Sequence, residues 1–192
     1  MARSKDFDEK EVLEKALNLF WCNGYNSTSA QEIVDCLGIS RSSLYDTFGD
    51  KRTLYIKTLK QYQEGMGSSL LATIKASTNP KVTIKNIFQT LVNEAIVDKK
   101  SRGCFMVNAS IEVAPFDEEI SKIVTENMQS IEEAFYVLIK EGQNSGVLSK
   151  ANTPRAVARF LFNNIFGIRV AAKSGAEKKA LEDIVKVCLS VL

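Results

Sequence analysis

The segment from Ser29 to Lys51, SAQEIVDCLGISRSSLYDTFGDK, decides how this chain is read. Ser29-x-x-Glu32 has the spacing of a capping box, in which a hydroxyl and a carboxylate each accept from the other residue's backbone N–H. Thr28-x-x-Gln31 repeats that spacing one residue earlier. Either pair opens a short helix running to about Leu37. Gly38 tolerates a sharp turn. Ser40 can cap again, and the next helix carries Leu44, Tyr45 and Phe48 before Gly49-Asp50 interrupts it. Two short helices joined across a Gly-containing turn have the layout of a helix-turn-helix. Val34 packs the helix pair together and Leu44 faces the core. That leaves Arg41, Ser42, Ser43, Tyr45, Asp46 and Thr47 for the second helix's outer flank. They are short or polar, and an α-helix fits a major groove. Taken alone, the spacing fits a plain three-helix core equally well.

Outward from this segment the helical period persists. Upstream, Val12, Leu13, Ala16, Leu17, Leu19 and Phe20 form one apolar face, with Asp6 or Asp8 as cap and Asn23-Gly24 as stop. Downstream, Lys51 opens a long helix through Leu54, Ile56, Leu59 and Tyr62 toward Ala76, weakened midway by Gly65 and Gly67. Ile84 to Ile96 keeps a 3–4 spacing, Asp98 to Gly103 reads as a loop, and Cys104 to Val113 is a short apolar segment closed by Ala114-Pro115. A long helix from about Asp117 reaches Ile139, a loop spans Gly142 to Pro154, and two helices follow at about Pro154–Ala172 and Ala176–Val191. No convincing strand or internal repeat is found. The expected fold is all-α with nine helices.

Composition narrows the chemistry. The chain has 192 residues, 45% apolar and 25% charged, which is an ordinary globular balance. It contains no His, which removes Ser-His-Asp and Cys-His catalysis and the HExxH metallohydrolases. Cys22, Cys36, Cys104 and Cys188 form no CxxC pair, so neither a zinc ribbon nor a dithiol site is expected. With no Gly-rich phosphate loop and no identifiable nucleophile–base pair, an enzyme is disfavoured, and no metal or cofactor is expected. The polar start, Met1 to Asp6, has no apolar signal region. No run of about 18 apolar residues occurs, so a cytoplasmic protein without a membrane partner is expected. Net charge is +2, and residues 1–60 carry nine basic and nine acidic side chains. From Cys36 to Lys60, however, five basic residues face two acidic ones. Positive charge therefore gathers around the proposed reading helix, where Thr28, Ser29 and Lys51 offer donors suited to phosphate. The near-neutral head leaves a protein-binding module as the alternative.

The run Gly24-Tyr25, Thr28-Ser29, Ile33, Leu37 to Tyr45, Phe48 to Lys51 and Leu54 closely resembles the DNA-binding head of TetR/AcrR-family transcriptional regulators, without a gap over about fifty residues. Arg102 to Ala109 and Gly167 to Val170 resemble segments of one branch of that family. The resemblance implies a nine-helix, Ω-shaped homodimer. It implies a helix-turn-helix DNA-binding domain at residues 1–52 and a ligand-binding and dimerisation domain at residues 53–192. Such a dimer binds a palindromic operator on double-stranded DNA as a repressor and is released by a small-molecule effector. Thr28, Tyr45 and Lys51 match positions that touch phosphates, and Arg41, Ser42, Ser43, Asp46 and Thr47 match the exposed reading face. Two residues depart from the pattern. Val34 stands where a small Ala is frequent, and Asp46 stands where an aromatic or His is common. Asp46 would be tolerated by accepting from a cytosine amine or by orienting Arg41.

In the body, Phe88, Phe105, Met106, Asn108, Met128, Phe135, Phe162 and Asn163 are candidate walls of a pocket for a mostly apolar effector. Each fits a plain core position as well. Leu161, Ile165 and Ile168, with Leu181, Ile184, Val185 and Cys188, give the last two helices more apolar surface than one subunit needs. They are the candidate dimer interface, with an internal core as the alternative. Cys104, at a helix start near Lys99 and Lys100, is a candidate sensor thiol for electrophiles or oxidants, and a buried structural Cys is the alternative.

Overall fold

The computed structural model describes residues 7–192, which are helix and connecting turn. The polar start and Asp6 as a cap lie outside the described residues. Helix α1 (Glu9–Asn23) is capped by Asp8, whose carboxylate accepts from the Lys10 N–H at 2.8 Å. Before α2 (Ala30–Leu37) the Ser29–Glu32 capping box closes in both directions, at 2.7 and 3.2 Å. The rival box one residue earlier does not form. The Thr28 hydroxyl donates to the Gly24 carbonyl at 2.6 Å, and Gln31 reaches forward to Asp35.

Gly38, at φ +67°, ends α2 in the left-handed region that a β-carbon disfavours. The chain then enters α3 (Arg41–Phe48) through Ser40, whose Oγ accepts from the Ser43 N–H at 3.1 Å. Asp50 caps α4 (Lys51–Tyr62) in the same way. Gly65 and Gly67 do not break the following rod. It widens to a π-helical segment, Gln63–Gly67, and continues as α5 (Ser68–Lys75).

The body adds α6 (Pro80–Val97), α7 (Phe105–Glu112), a 3₁₀ turn (Ala114–Phe116), α8 (Glu118–Asn144), α9 (Pro154–Lys173) and α10 (Lys178–Cys188). With α4 and α5 as one rod, this makes nine helices among the described residues. Helix α8 runs past Gly142, where a loop was expected. Leu148 folds back onto that glycine, 2.5 Å from where a β-carbon would lie, so Gly142 stays helical and admits the returning chain.

Two apolar clusters fill the molecule. The upper one joins Phe20, Ile33, Leu44 and Tyr55 of the head to Phe105, Met106, Ala109, Ile120 and Val124 of α7 and α8. The lower one joins α6, α8, α9 and α10 through Phe88, Phe135, Leu161, Ile168 and Leu181. The boundary expected after residue 52 therefore falls inside α4, and packing does not stop there.

The candidate dimer residues need correction. Leu161, Ile165, Ile168, Leu181 and Cys188 are buried in the chain's own core, because this side of each helix meets α6 and α8. Burial also pushes the Cys188 thiol up to about 11. The surface they leave outward carries Phe160, Asn163, Gly167 and Val170 on α9, and Ile184 and Val187 on α10. Of the expected set only Ile184 is exposed, with Val185 half-buried.

Candidate nucleic-acid interface and effector cavity

Leu44 and Phe48 anchor α3 in the head core, which turns Arg41, Ser42, Tyr45 and Asp46 outward. Ser43 and Thr47 are half-buried at the edges of this face. The hydroxyls of Ser42 and Ser43 lie 2.9 and 2.8 Å from Ser40 Oγ, forming a small polar cluster at the start of α3. Arg41 and Asp46 are not within ion-pair distance of each other, so Asp46 does not orient Arg41 in this arrangement.

The expected phosphate contacts are placed unequally. Tyr45 is 45% exposed, and Ser29 stays at the surface as the cap of α2. Lys51 is half-buried, with its ammonium 4.4 Å above the Tyr25 ring. Burial lowers its pKa, opposed by the carboxylates of Glu112 and Glu32. Thr28 differs from expectation. It is wholly buried, and its hydroxyl is committed to Gly24, so it pins the corner between α1 and α2 from inside. Arg52, counted above with the basic cluster, is turned away toward the body. It forms a forked pair with Asp117 at 2.6 and 2.8 Å and reaches Glu119 at 3.0 Å.

Three polar connections tie head to body. Glu112 of α7 accepts from the backbone N–H groups of Tyr25 and Asn26, at 3.1 and 2.7 Å. Arg52 grips Asp117, the cap of α8, and holds the Asp117 carboxyl down at about 2. The loop between α6 and α7 meets α1. Trp21 Nε1 donates to the Gly103 carbonyl at 3.1 Å, the Arg102 guanidinium lies 4.2 Å over the Trp21 ring, and Arg102 also donates to Asn18.

Beneath these connections two clefts share the walls Met66, Glu94 and Arg169. One, of about 300 Å³, lies under Trp21 and the 98–103 loop. The other, of about 220 Å³, opens between the π segment, α6, α8 and α9. Of the eight candidate wall residues, Met106 and Phe162 line the second cleft. Phe88 and Phe135 pack in the lower core, and Phe105 sits in the upper core against Tyr55 and Tyr62. Met128 packs against the upper cluster. Asn108 bonds to Arg102 and Lys173, and Asn163 is exposed. These six therefore do not form the cavity wall.

Cys104 does line the second cleft. Its sulfur accepts from the Tyr62 hydroxyl at 3.5 Å. Burial pushes the Tyr62 phenol well above its ordinary value, and the sulfur adds to the effect. The cation whose charge reaches Cys104 is Arg169. Burial opposes that charge, but Tyr62, Cys104 and Glu94 keep its pKa raised. Sequence spacing gave Tyr62, Glu94, Asn127 and Arg169 no role at a cavity, because they come together only through the crossing of α4, α6, α8 and α9.

An outward reading helix, a Gly turn and serine caps, held on a helical body, define a helix-turn-helix DNA-binding regulator. Residues 12–58 match the family described as bacterial regulatory proteins, tetR family, and residues 73–187 match a tetracyclin repressor-like C-terminal domain. The chain belongs to the TetR family of transcriptional regulators. It is 35% identical to the HTH-type transcriptional regulator YezE of Bacillus subtilis (strain 168) over 193 residues, covering 100% of both chains. It is 25% identical to the HTH-type transcriptional repressor ComR of Escherichia coli (strain K12), over 95% of this chain and 87% of that one. The fold matches a cysteine mutant of the TetR-family regulator CifR, solved with 26-bp double-strand operator DNA, at TM-score 0.87, 23% identity and 98% coverage of each chain. It also matches the reduced form of E. coli NemR at TM-score 0.84 and 17% identity, over 95% of each chain. Among the described residues no helix is long and apolar enough to cross a membrane.

Proposed function

We propose that this regulator is a cytoplasmic repressor that binds a palindromic operator as a homodimer and releases it when a small, mostly apolar effector enters the body. The observation that carries this reading is the shared wall. The cleft of about 300 Å³ is lined by Trp21 of the head's first helix, the 98–103 loop and Arg169. A ligand there touches both halves at once, and only a ligand that fits two head positions unequally can shift operator affinity. The outward surface of α9 and α10, with Phe160, Val170, Ile184 and Val187, supports pairing with a second copy.

Fluorescence anisotropy with a duplex from the chain's own promoter region tests the DNA reading. Binding should weaken steeply with salt as counterions are released. Lys51→Ala and Tyr45→Phe should weaken operator and random DNA alike. Arg41→Ala should cost about 1–3 kcal/mol on the operator and relax base preference. Equal loss on both DNAs for Arg41→Ala would remove Arg41 from base reading.

A second reading, a thiol sensor, is favoured by the placement of Cys104 in the cavity wall beside Tyr62 and Arg169. In a Cys22→Ser/Cys36→Ser background, which removes the exposed thiols of the head, alkylation by a maleimide should lower operator affinity and leave the further Cys104→Ser variant unaffected. Unchanged affinity after complete modification of Cys104 rejects the sensor.

A further inference from the structure

Four polar side chains are buried among the described residues, and three are satisfied. Thr28 donates to Gly24, Thr58 to the Tyr55 carbonyl, and the Gln143 amide to the carbonyls of Ser149 and Asn152. Asn127 of α8 is the exception among these four. It is 5% exposed, has no hydrogen-bond partner among the described residues, and lines the cleft of about 220 Å³. Gln61 Oε1 of α4 is also buried without a partner among the described residues, but Gln61 does not line this cleft. Buried amides are normally paired, so one left open toward a cavity points to a group that arrives from outside.

The opposing backbone makes room for it. Gly67 closes the π segment, and a β-carbon there would lie 3.3 Å from Asn127 Nδ2. Such π segments recur at functional sites. A second set of donors shares the cavity. Arg169 gives one guanidinium nitrogen to Glu94 at 3.1 Å, and its other N–H groups have no partner among the described residues. The remaining wall is largely apolar, including Leu70, Ile87, Leu91, Ile131 and Phe166. A cavity of about 150 Å³ holds benzene, so this one suits a substituted single ring.

We infer that the cavity binds a small apolar molecule through one acceptor oxygen, a carbonyl or a carboxylate, which takes N–H donors from Asn127 and Arg169. As the identity of the effector, this rests on the effector-release reading above but seats the ligand in the neighbouring cleft, which shares the walls Met66, Glu94 and Arg169 with the one under Trp21. Arg169 offers only donors, Asn127 offers an NH2 beside its carbonyl oxygen, and the Glu94 carboxylate on this wall already accepts from Arg169, which favours an acceptor oxygen over a hydroxyl acting as donor.

Calorimetric titration of the full chain with 4-ethylbenzoate, 4-ethylacetophenone and 1,4-diethylbenzene tests it. The two oxygen-bearing probes should bind at least about tenfold more tightly than the hydrocarbon, since a site built for a polar group discriminates strongly against its absence. The benzoate and the ketone separate the two sources of oxygen. Arg169→Gln should weaken the benzoate more than the ketone. Asn127→Leu should abolish the ketone's preference over the hydrocarbon, weaken the benzoate that Arg169 still holds, and leave the Tm unchanged or higher. Equal binding of all three probes, binding by none, or a ketone preference that survives undiminished in Asn127→Leu overturns the inference. So does a lowered Tm in Asn127→Leu, because it would mean that the amide serves the fold. Operator release is read separately by anisotropy. Oxygen-selective binding without release keeps this ligand class and defeats the effector reading.

Discussion

Around Phe105, rings from the head and the body close on one another. Tyr55 and Tyr62 meet it edge-on at 5.4 and 5.8 Å, and Trp21 lies 6.4 Å away. Around Phe162, one ring, Phe166, lies at 4.4 Å, and the other side opens on a cavity. Both neighbourhoods are aromatic and helical. The difference is what completes them. The upper ring cluster is completed by the protein itself, so it can transmit a push between α1, α4 and α7 without yielding. The lower wall has unfilled volume and an unpaired amide, so it can accept a guest. Rigidity and vacancy sit side by side along the same rod, α4 to α5.

Truncation breaks this comparison most severely. Phe105→Ala should cost about 3–5 kcal/mol. Unfolding followed by Trp21 fluorescence and by far-UV circular dichroism should remain one coincident transition, shifted down by roughly 10 °C. Two separated transitions would mean that head and body do not share a core. Phe162→Ala, at a half-buried wall, should cost only about 1–2 kcal/mol by denaturant titration. A cost equal to that of Phe105→Ala would erase the distinction. Glu112→Ala should cost about 1 kcal/mol and speed amide exchange at Tyr25 and Asn26, with less change in α8.

The smallest effect is a pH slope. The Asp117 carboxyl is held below its ordinary 3.8, at about 2, chiefly by its bond to Arg52. A carboxylate depressed in the folded state adds stability above its unfolded pKa, and that stability is lost as pH falls through the folded value. Stability should therefore decline between about pH 4 and 2. Asp117→Asn should flatten that part of the curve. An identical slope in the variant would show that the clamp contributes nothing there.

Local signals were the legible ones. The Ser29–Glu32 box, the Gly38 turn, the caps at Ser40 and Asp50, and the outward face of α3 all rest on residues within a few positions of each other, so the sequence displayed them. What it concealed depends on partners far along the chain. Leu161 and Ile168 looked like surplus apolar surface because periodicity marks a stripe but not which neighbour covers it. Thr28 looked like a phosphate donor because nothing local shows its hydroxyl turning inward to Gly24. Arg52 looked like part of a basic patch until Asp117, 65 residues later, claimed it. The cavity's amides were expected at Asn108 and Asn163, yet its polar end comes from Asn127 and Arg169. Only the crossing of four helices brings those two together.

The common ring cluster has a practical bearing on protein engineering. A recogniser grafted by cutting at residue 52 would bring Phe20 but leave behind Tyr55, Phe105, Val113 and Ile120. It would also lose the Glu112 carboxylate that fastens Tyr25 and Asn26. A workable hybrid would have to transplant the seam along with the reader, choosing new seam side chains together with the host's counterparts of α7 and the first turns of α8.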